Sequence, residues 1–332
     1  MRVLVTGGAG YIGSHTARHL RDRGDEVVIL DSLISGHRAA AGDVPIVVGD
    51  IRDGALVEAV IRDHRIECVV HLAALKSVEE SVHDPFRYFE VNVVGTMALA
   101  RSALAAGVQH LVFSSSCAVY GQPDRLPVDE RAALAPENPY GETKLAAERL
   151  LATLESATSL RTVALRYFNA AGAADDGSTG EDWSGAVNLI PSVLRAAAGR
   201  DPAVRLHGTD FETPDGSAIR DYVHVLDLAE AHALALDHLA RGGESMAVNV
   251  GTGRGWSVRE VISAGETVVG HAIPVIETAR RPGDPPAVWA DPRCATELLG
   301  WTARRDLHDM LQTAWRWHQR YPDGYPQAAV GG

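Results

Sequence analysis

The sequence predicts an α/β protein, a doubly wound parallel sheet with a smaller mixed α/β substrate domain. Three observations carry this. Short β-branched runs alternate with helical segments through the first half of the 332 residues, the pattern of repeated strand–helix–strand units. A glycine triplet separates the first run from the first helical segment. After Phe168 the alternation loosens into shorter, less regular pieces.

Strands are expected at 3–6, 26–30, 45–50, 68–72, 110–116 and 162–168, each near-continuously apolar, as a sheet covered on both faces requires. Helices are expected near 12–23, 53–64, 85–106 and 140–158. Residues 170–187, rich in Gly, Ala, Asp and Ser, read as a long loop, and loops of that length in compact domains are functional or disordered. A helix near 188–199, a strand pair at 204–207 and 219–225, and a helix at 226–240 come next. The apolar run MAVNV (246–250) suits a return to the main sheet, and helices near 257–269 and 306–319 end the chain. The expected division is 1–169 with 223–254 as one domain, and 170–222 with 255–332 as the other.

Composition limits the function. A net charge of −12 without a basic stripe argues against nucleic acid, although a few arginines in a cleft can still hold an anionic small molecule. Cys68, Cys117 and Cys294 are widely spaced and unpaired in sequence, so neither a disulfide framework nor a metal site is expected. No apolar run approaches the ~20 residues of a membrane span, and the chain enters its first strand without a leader-like pattern. A cytoplasmic protein is the expectation.

The triplet is Gly7-x-x-Gly10-x-x-Gly13, directly after a strand and opening a helix. Glycine there permits a tight turn and lets backbone N–H groups at the helix N-terminus approach a pyrophosphate. This predicts a Rossmann-type dinucleotide site. Asp31, ending the second strand, suits a carboxylate bonded to the adenosine ribose, which favours NAD over NADP; a loop-capping role is the alternative. Asp50, closing the third strand, is placed to meet the adenine.

Of the 31 basic residues only Lys76 and Lys144 are lysines. Tyr140 and Lys144 stand four apart on a predicted helix and share one face. A phenol titrates near ~10, and one ammonium lowers a neighbour by about one to three units. Lysine alone is therefore marginal, and a second positive charge from an oxidised nicotinamide would complete the activation. The alternative is a surface tyrosine beside a helix cation, where this chain would use arginine. Ser116, at a strand end, suits a proton path between a substrate hydroxyl and Tyr140, or merely ends the strand.

The runs TGGAGYIGSH, HLAALKSVEESV, NVVGT, FSSSCAVYG, PYGETKLAAE, LRYFNAAGA, IRDYVHVLDLA, NVGTG and RPGDPPAVWAD occur in this order over almost the whole chain. Together they resemble the extended short-chain dehydrogenase/reductases, and within these the UDP-glucose 4-epimerase family. The resemblance implies Ser116, Tyr140 and Lys144 as the catalytic trio. It implies a bound NAD, regenerated each cycle, on the glycine triplet with Tyr11 and Ile12, on Asp31, Ser32, Asp50 and Ile51, and on Leu72, Ala73, Ala74, Lys76, Asn92 and Phe168. It implies a UDP-sugar on Asn169, Asn188, Leu189, His207, Arg220, Arg281, Asp284 and Val288. Arg220 and Arg281 suit a diphosphate because guanidinium binds it bidentately; a salt bridge is the alternative for each, for Arg220 with an adjacent acid such as Asp221.

The implied activity is reversible epimerisation at C4 of UDP-glucose and UDP-galactose, with Tyr140 as base, in a homodimer joined through helices at 85–106 and 140–158. The chain departs from the family pattern in a short loop after Asp31, in Pro282 where an acid is expected, and in His207 where an aromatic often packs on uracil. Val288 is small where some members carry tyrosine, which predicts activity on UDP-N-acetylglucosamine. A 4,6-dehydratase needs an acidic pair where Cys117 and Ala118 stand. Another UDP-sugar 4-epimerase, for example of UDP-glucuronate, is the nearer rival. A non-catalytic NAD sensor, the reading from a different class, would not need both Tyr140 and Lys144.

Overall fold

A computed structural model describes residues 1–183, 186, 188–281 and 283–326. Its main sheet holds β1 (Arg2–Thr6), β2 (Glu26–Asp31), β3 (Ile46–Val48), β4 (Cys68–His71), β5 (His110–Ser116) and β6 (Arg161–Tyr167). All pair in parallel, in the order β3-β2-β1-β4-β5-β6. The chain winds outward through β2 and β3, then returns past β1 to β4. Where the order reverses, the carboxyl ends of β1 and β4 diverge and leave a crevice.

Alternate strand residues feed two cores. Val3, Val5, Val70 and Val112 point to one face, covered by α1 (Tyr11–Asp22). Leu4, Val69 and Leu111 point to the other, covered by α2 (Gly54–Asp63) and the later helices of the first half. At about 1.5–3 kcal/mol for each fully buried large aliphatic side chain, these two layers supply most of the force that fixes the crevice.

The region expected as one helix at 85–106 is segmented. A short α3 (Val78–His83) precedes it, and the region itself comprises α4 (Pro85–Phe89), a π-helical turn at Glu90–Val94 and α5 (Gly95–Ala105). Ser77 and Asp84 cap the first two, and Pro85 at N1 explains the new start. The long α6 (Pro139–Ala157) follows, capped by Asn138, whose side chain accepts from Gly141 N.

Beyond β6 come β7 (Asn169–Ala171), α7 (Leu189–Ala197), β8 (Val204–His207), β9 (Ile219–His224) and α8 (Val225–Ala240). β10 (Met246–Val250) joins the main sheet beside β6. The remainder is β11 (Gly255–Ser257), α9 (Val258–Val269), β12 (Val275–Thr278), β13 (Ala287–Val288), α10 (Arg293–Leu299) and α11 (Leu307–Arg320). The strand pair expected at 204–207 and 219–225 does not form. β8 pairs β12, while β9 pairs β7, β11 and β13. These strands of two to six residues find partners far away in sequence, which local patterning does not carry. A third core, from α7, α9 and α11 with Leu206 and Tyr222, holds the two small sheets together.

Candidate active site

A single cavity of about 1670 Å³ runs from the carboxyl ends of the main sheet to the small sheets. That exceeds the roughly 300–1,000 Å³ typical of one small-molecule site and leaves room for two ligands end to end.

At the crevice end the wall is backbone. Gly7 has φ +71, and a Cβ there would sit 2.5 Å from Ala73 N; a Cβ on Gly13 would sit 2.1 Å from the Gly7 carbonyl. The turn, the helix start and the strand behind them are thus packed closer than any side chain allows. Gly10, Tyr11 and Ile12 also line the cavity. Tyr11 additionally donates from its hydroxyl to Gly172 O at 2.6 Å, tying the turn to the long loop.

Asp31 is nearly buried, and its carboxylate accepts from Ala9 N at 2.9 Å and Leu33 N at 2.8 Å. The carboxylate thus caps the loop while lying on the cavity wall beside Ser32. Asp50 lies two residues past the end of β3 rather than closing it, and holds Arg52 through both oxygens. That guanidinium keeps its carboxyl below the usual range. Ile51, Leu72, Ala73, Ala74 and Phe168 line the same stretch. Lys76 also lines the cavity, and its ammonium lies 3.1 Å from the nearly buried carboxylate of Glu181.

Asn92 is buried and is not among the residues that line the cavity. Its Oδ1 accepts from Leu75 N, while Nδ2 donates to Leu75 O and Thr143 Oγ1. An amide so occupied fastens the 72–76 segment to α6 from behind.

Tyr140, Lys144 and Ser116 meet at the middle of the cavity. Lys144 is buried; its Nζ donates to Ser114 O at 2.8 Å and lies 5.9 Å from the centroid of the Tyr140 ring. Burial pushes its ammonium down to about 8, partly offset by Glu148 one turn along α6. Tyr140 opens onto the cavity but sits deep enough that burial raises its phenol well above 10. Tyr167 adds to that rise, and a hydrogen bond with Ser116 opposes it. The protein's own groups therefore do not produce a phenolate near neutral pH.

The serine run has three separate jobs. Ser114 bonds the Tyr167 hydroxyl, Ser115 bonds Glu148, and Ser116 accepts from Ala118 N at 3.2 Å and faces Tyr140. Glu148 in turn holds Arg166 at 2.6 Å, with both side chains buried.

At the far end Arg220 pairs with Asp284 at 2.6 Å. The pairing with Asp221 weighed from sequence does not occur. Asp221 is buried and accepts from Thr252 N, Gly253 N and Ala290 N, while Asn169 Nδ2 donates to the Asp221 carbonyl. Asn188 stands at the N-cap of α7 with Leu189 after it. His207, Arg281 and Val288 complete the lining, Val288 being buried against Phe168 and Tyr120. Pro282 lies outside the described residues.

The family model described as "NAD dependent epimerase/dehydratase family" matches residues 3–251. A UDP-glucose 4-epimerase of Halalkalibacterium halodurans is 47% identical over 326 residues, covering 98% of each chain. The chain belongs to the UDP-glucose 4-epimerase branch of that family. A solved UDP-glucose 4-epimerase from Stenotrophomonas maltophila, with bound NAD and formylated UDP-arabinopyranose, superposes with a TM-score of 0.95. It is 44% identical, over 97% of this chain and 99% of that one. A UDP-Glc/GlcNAc 4-epimerase from Campylobacter jejuni gives 0.85 at 36% identity, over 96% and 99%.

Within this epimerase-family frame, sequence reasoning passed over Glu181, Glu148 and Tyr167. Glu181 falls in a polar loop with no periodicity, and only the fold brings it to Lys76. Glu148, four residues after Lys144, was detectable as a carboxylate on the Tyr140 face of α6. Tyr167 reads in sequence as one more strand aromatic.

Proposed function

We propose that this chain interconverts UDP-glucose and UDP-galactose at C4 with a resident NAD. The observation that carries the reading is the meeting of Ser116, Tyr140 and Lys144 along a cavity with a backbone-walled crevice at one end and Arg220 and Arg281 at the other. When bound, NAD serves as the transient two-electron acceptor for C4 and returns that equivalent within the same turnover. The glycine turn would hold its pyrophosphate, and the Asp31 carboxylate, while capping the loop, would keep lone pairs for the ribose.

Tyr140 accepts the proton of the sugar 4-hydroxyl, with Ser116 bridging to that oxygen. Because burial raises the phenol, the base forms only when positive charge from Lys144 and the nicotinamide faces it together. Arg220 and Arg281 would anchor UDP while the sugar turns its other face to Tyr140 and Ser116, which would return the proton there.

The division of labour follows the cavity: 1–169 with 223–254 for the cofactor, and 170–222 with 255–332 for the nucleotide sugar. Val82, Phe86, Phe89 and Met97 expose an apolar row along α3 to α5, which supports a homodimer through these helices and α6. No helix of the described residues is long and apolar enough to cross a membrane, and a cytoplasmic location is part of this proposal. The small Val288 beside Phe168 supports activity on UDP-N-acetylglucosamine as well.

Purified protein given UDP-galactose and no reductant should produce UDP-glucose without net NADH. Stoichiometric NADH release or a 4-keto-6-deoxy product would sink the reading.

A further inference from the structure

His207 ends β8 and is paired in register with Thr278 at the end of β12. Its Nδ1 lies 2.9 Å from Thr278 Oγ1, and its Nε2 lies 3.1 Å from a terminal nitrogen of Arg281. Guanidinium can only donate, so Nε2 is the acceptor and the proton is on Nδ1. That proton goes to Thr278 Oγ1, whose own hydrogen is free for Leu206 O at 3.3 Å. The chain of donors closes with one neutral tautomer and no group unmatched. The charged groups facing the ring are Arg281, Asp284 and Arg205, and burial and Arg281 both disfavour the imidazolium.

Arg220 and Arg281, both on the cavity wall, differ in charge balance. Arg220 is compensated by Asp284 at 2.6 Å. Among the described residues the Arg281 guanidinium pairs with no carboxylate, and its one hydrogen-bond partner there is the neutral ring of His207. Its neighbour Arg280 turns the other way, onto Asp210 and the face of Phe211. A neutral acceptor fixes a guanidinium without spending its charge, which leaves the remaining donors and the full cation for a phosphate.

We propose that His207 is a positioning residue that holds Arg281 toward the diphosphate of the nucleotide sugar, rather than a ring that packs on the base. This rests on the UDP-sugar reading above. The test is calorimetric titration of the full-length protein with UDP and, separately, with uridine, for the parent, His207→Phe and His207→Gln. Glutamine can place Oε1 near the position of Nε2 and keep an acceptor; phenylalanine keeps a flat ring and no acceptor.

His207→Phe should weaken UDP about tenfold, the scale of one charge-assisted contact, and leave uridine unchanged. His207→Gln should stay within about threefold of the parent for UDP, on the same scale. In turnover, KM for UDP-galactose should rise in His207→Phe with kcat held. Equal or tighter UDP binding by His207→Phe, a parallel loss for uridine, or equal losses in both variants would each overturn the proposal. A parent protein that binds neither probe would overturn the UDP-sugar reading itself, and this assignment with it.

Discussion

The two ends of the cavity are built in different ways. The crevice end is contiguous backbone, Gly7 to Gly13 pressed on itself and on Leu72 and Ala73 just past β4, with 2.1 and 2.5 Å where a Cβ would stand at Gly13 and Gly7. The nucleotide end is assembled from side chains on β8, β9 and the segment before β13, held by ion pairs and hydrogen bonds. The first has no steric slack at its glycines, and its basic side chains Arg52 and Lys76 are already paired with carboxylates. The second has slack and works through charge. Substitution should therefore act on fold and cofactor retention at one end, and on substrate affinity with salt dependence at the other.

The largest effect should come at the centre, where the ends meet. Tyr140→Phe and Lys144→Ala should each lower kcat by about 10²–10⁴, the range of general acid–base catalysis, with both ligands still bound. Retention of a tenth of the parent turnover by Tyr140→Phe would remove the phenol from the chemistry.

Next is Gly13→Ala. The new methyl overlaps the Gly7 carbonyl, and relief by backbone shift costs about 1–3 kcal/mol. Loss of co-purified NAD and a lower Tm are expected, with KM for the UDP-sugar little changed in whatever fraction retains cofactor. Normal NAD content would break the contrast between the two ends.

Lys144 offers a sharper test, because function and stability should diverge. Its folded pKa is lowered from 10.5 to about 8, so the unfolded chain binds more protons between those values. Its contribution to stability therefore rises with pH across that window, and at neutral pH the buried charge costs on the order of 3 kcal/mol at most. Lys144→Met should raise Tm at pH 7 and lose that advantage above pH ~10.5, while turnover of the parent declines as pH rises through about 8. A Tm that falls at pH 7 would show the ammonium to be stabilising.

At the nucleotide end Arg220→Ala should raise KM about tenfold, since a hydrogen bond to a charged group is worth about 1.5–3 kcal/mol. The parent's KM should climb with salt as its own charges are screened. The smallest effect is expected for Glu181→Gln. Lys76 is largely exposed although Glu181 is not, and such a pair contributes about 0–1 kcal/mol. NAD release should quicken a few-fold at most, followed by cofactor fluorescence.

The sequence by itself determined the main sheet and the glycine turn, and it pointed to Ser116, Tyr140 and Lys144 as the proposed catalytic trio. Each is written locally: strands in runs, glycines three apart, Tyr140 and Lys144 one helical turn apart. Tertiary structure alone decided the rest. It paired β8 with β12 and β9 with β13, chose Asp284 over Asp221 for Arg220, and bonded Asn92 to Leu75 and Thr143. It also aimed Lys144 at Ser114 O and set His207 against Arg281. These contacts join residues tens of positions apart, and burial, which raises Tyr140 and lowers Lys144, is a property of the surrounding volume. Neither is encoded in the spacing of neighbours along a chain.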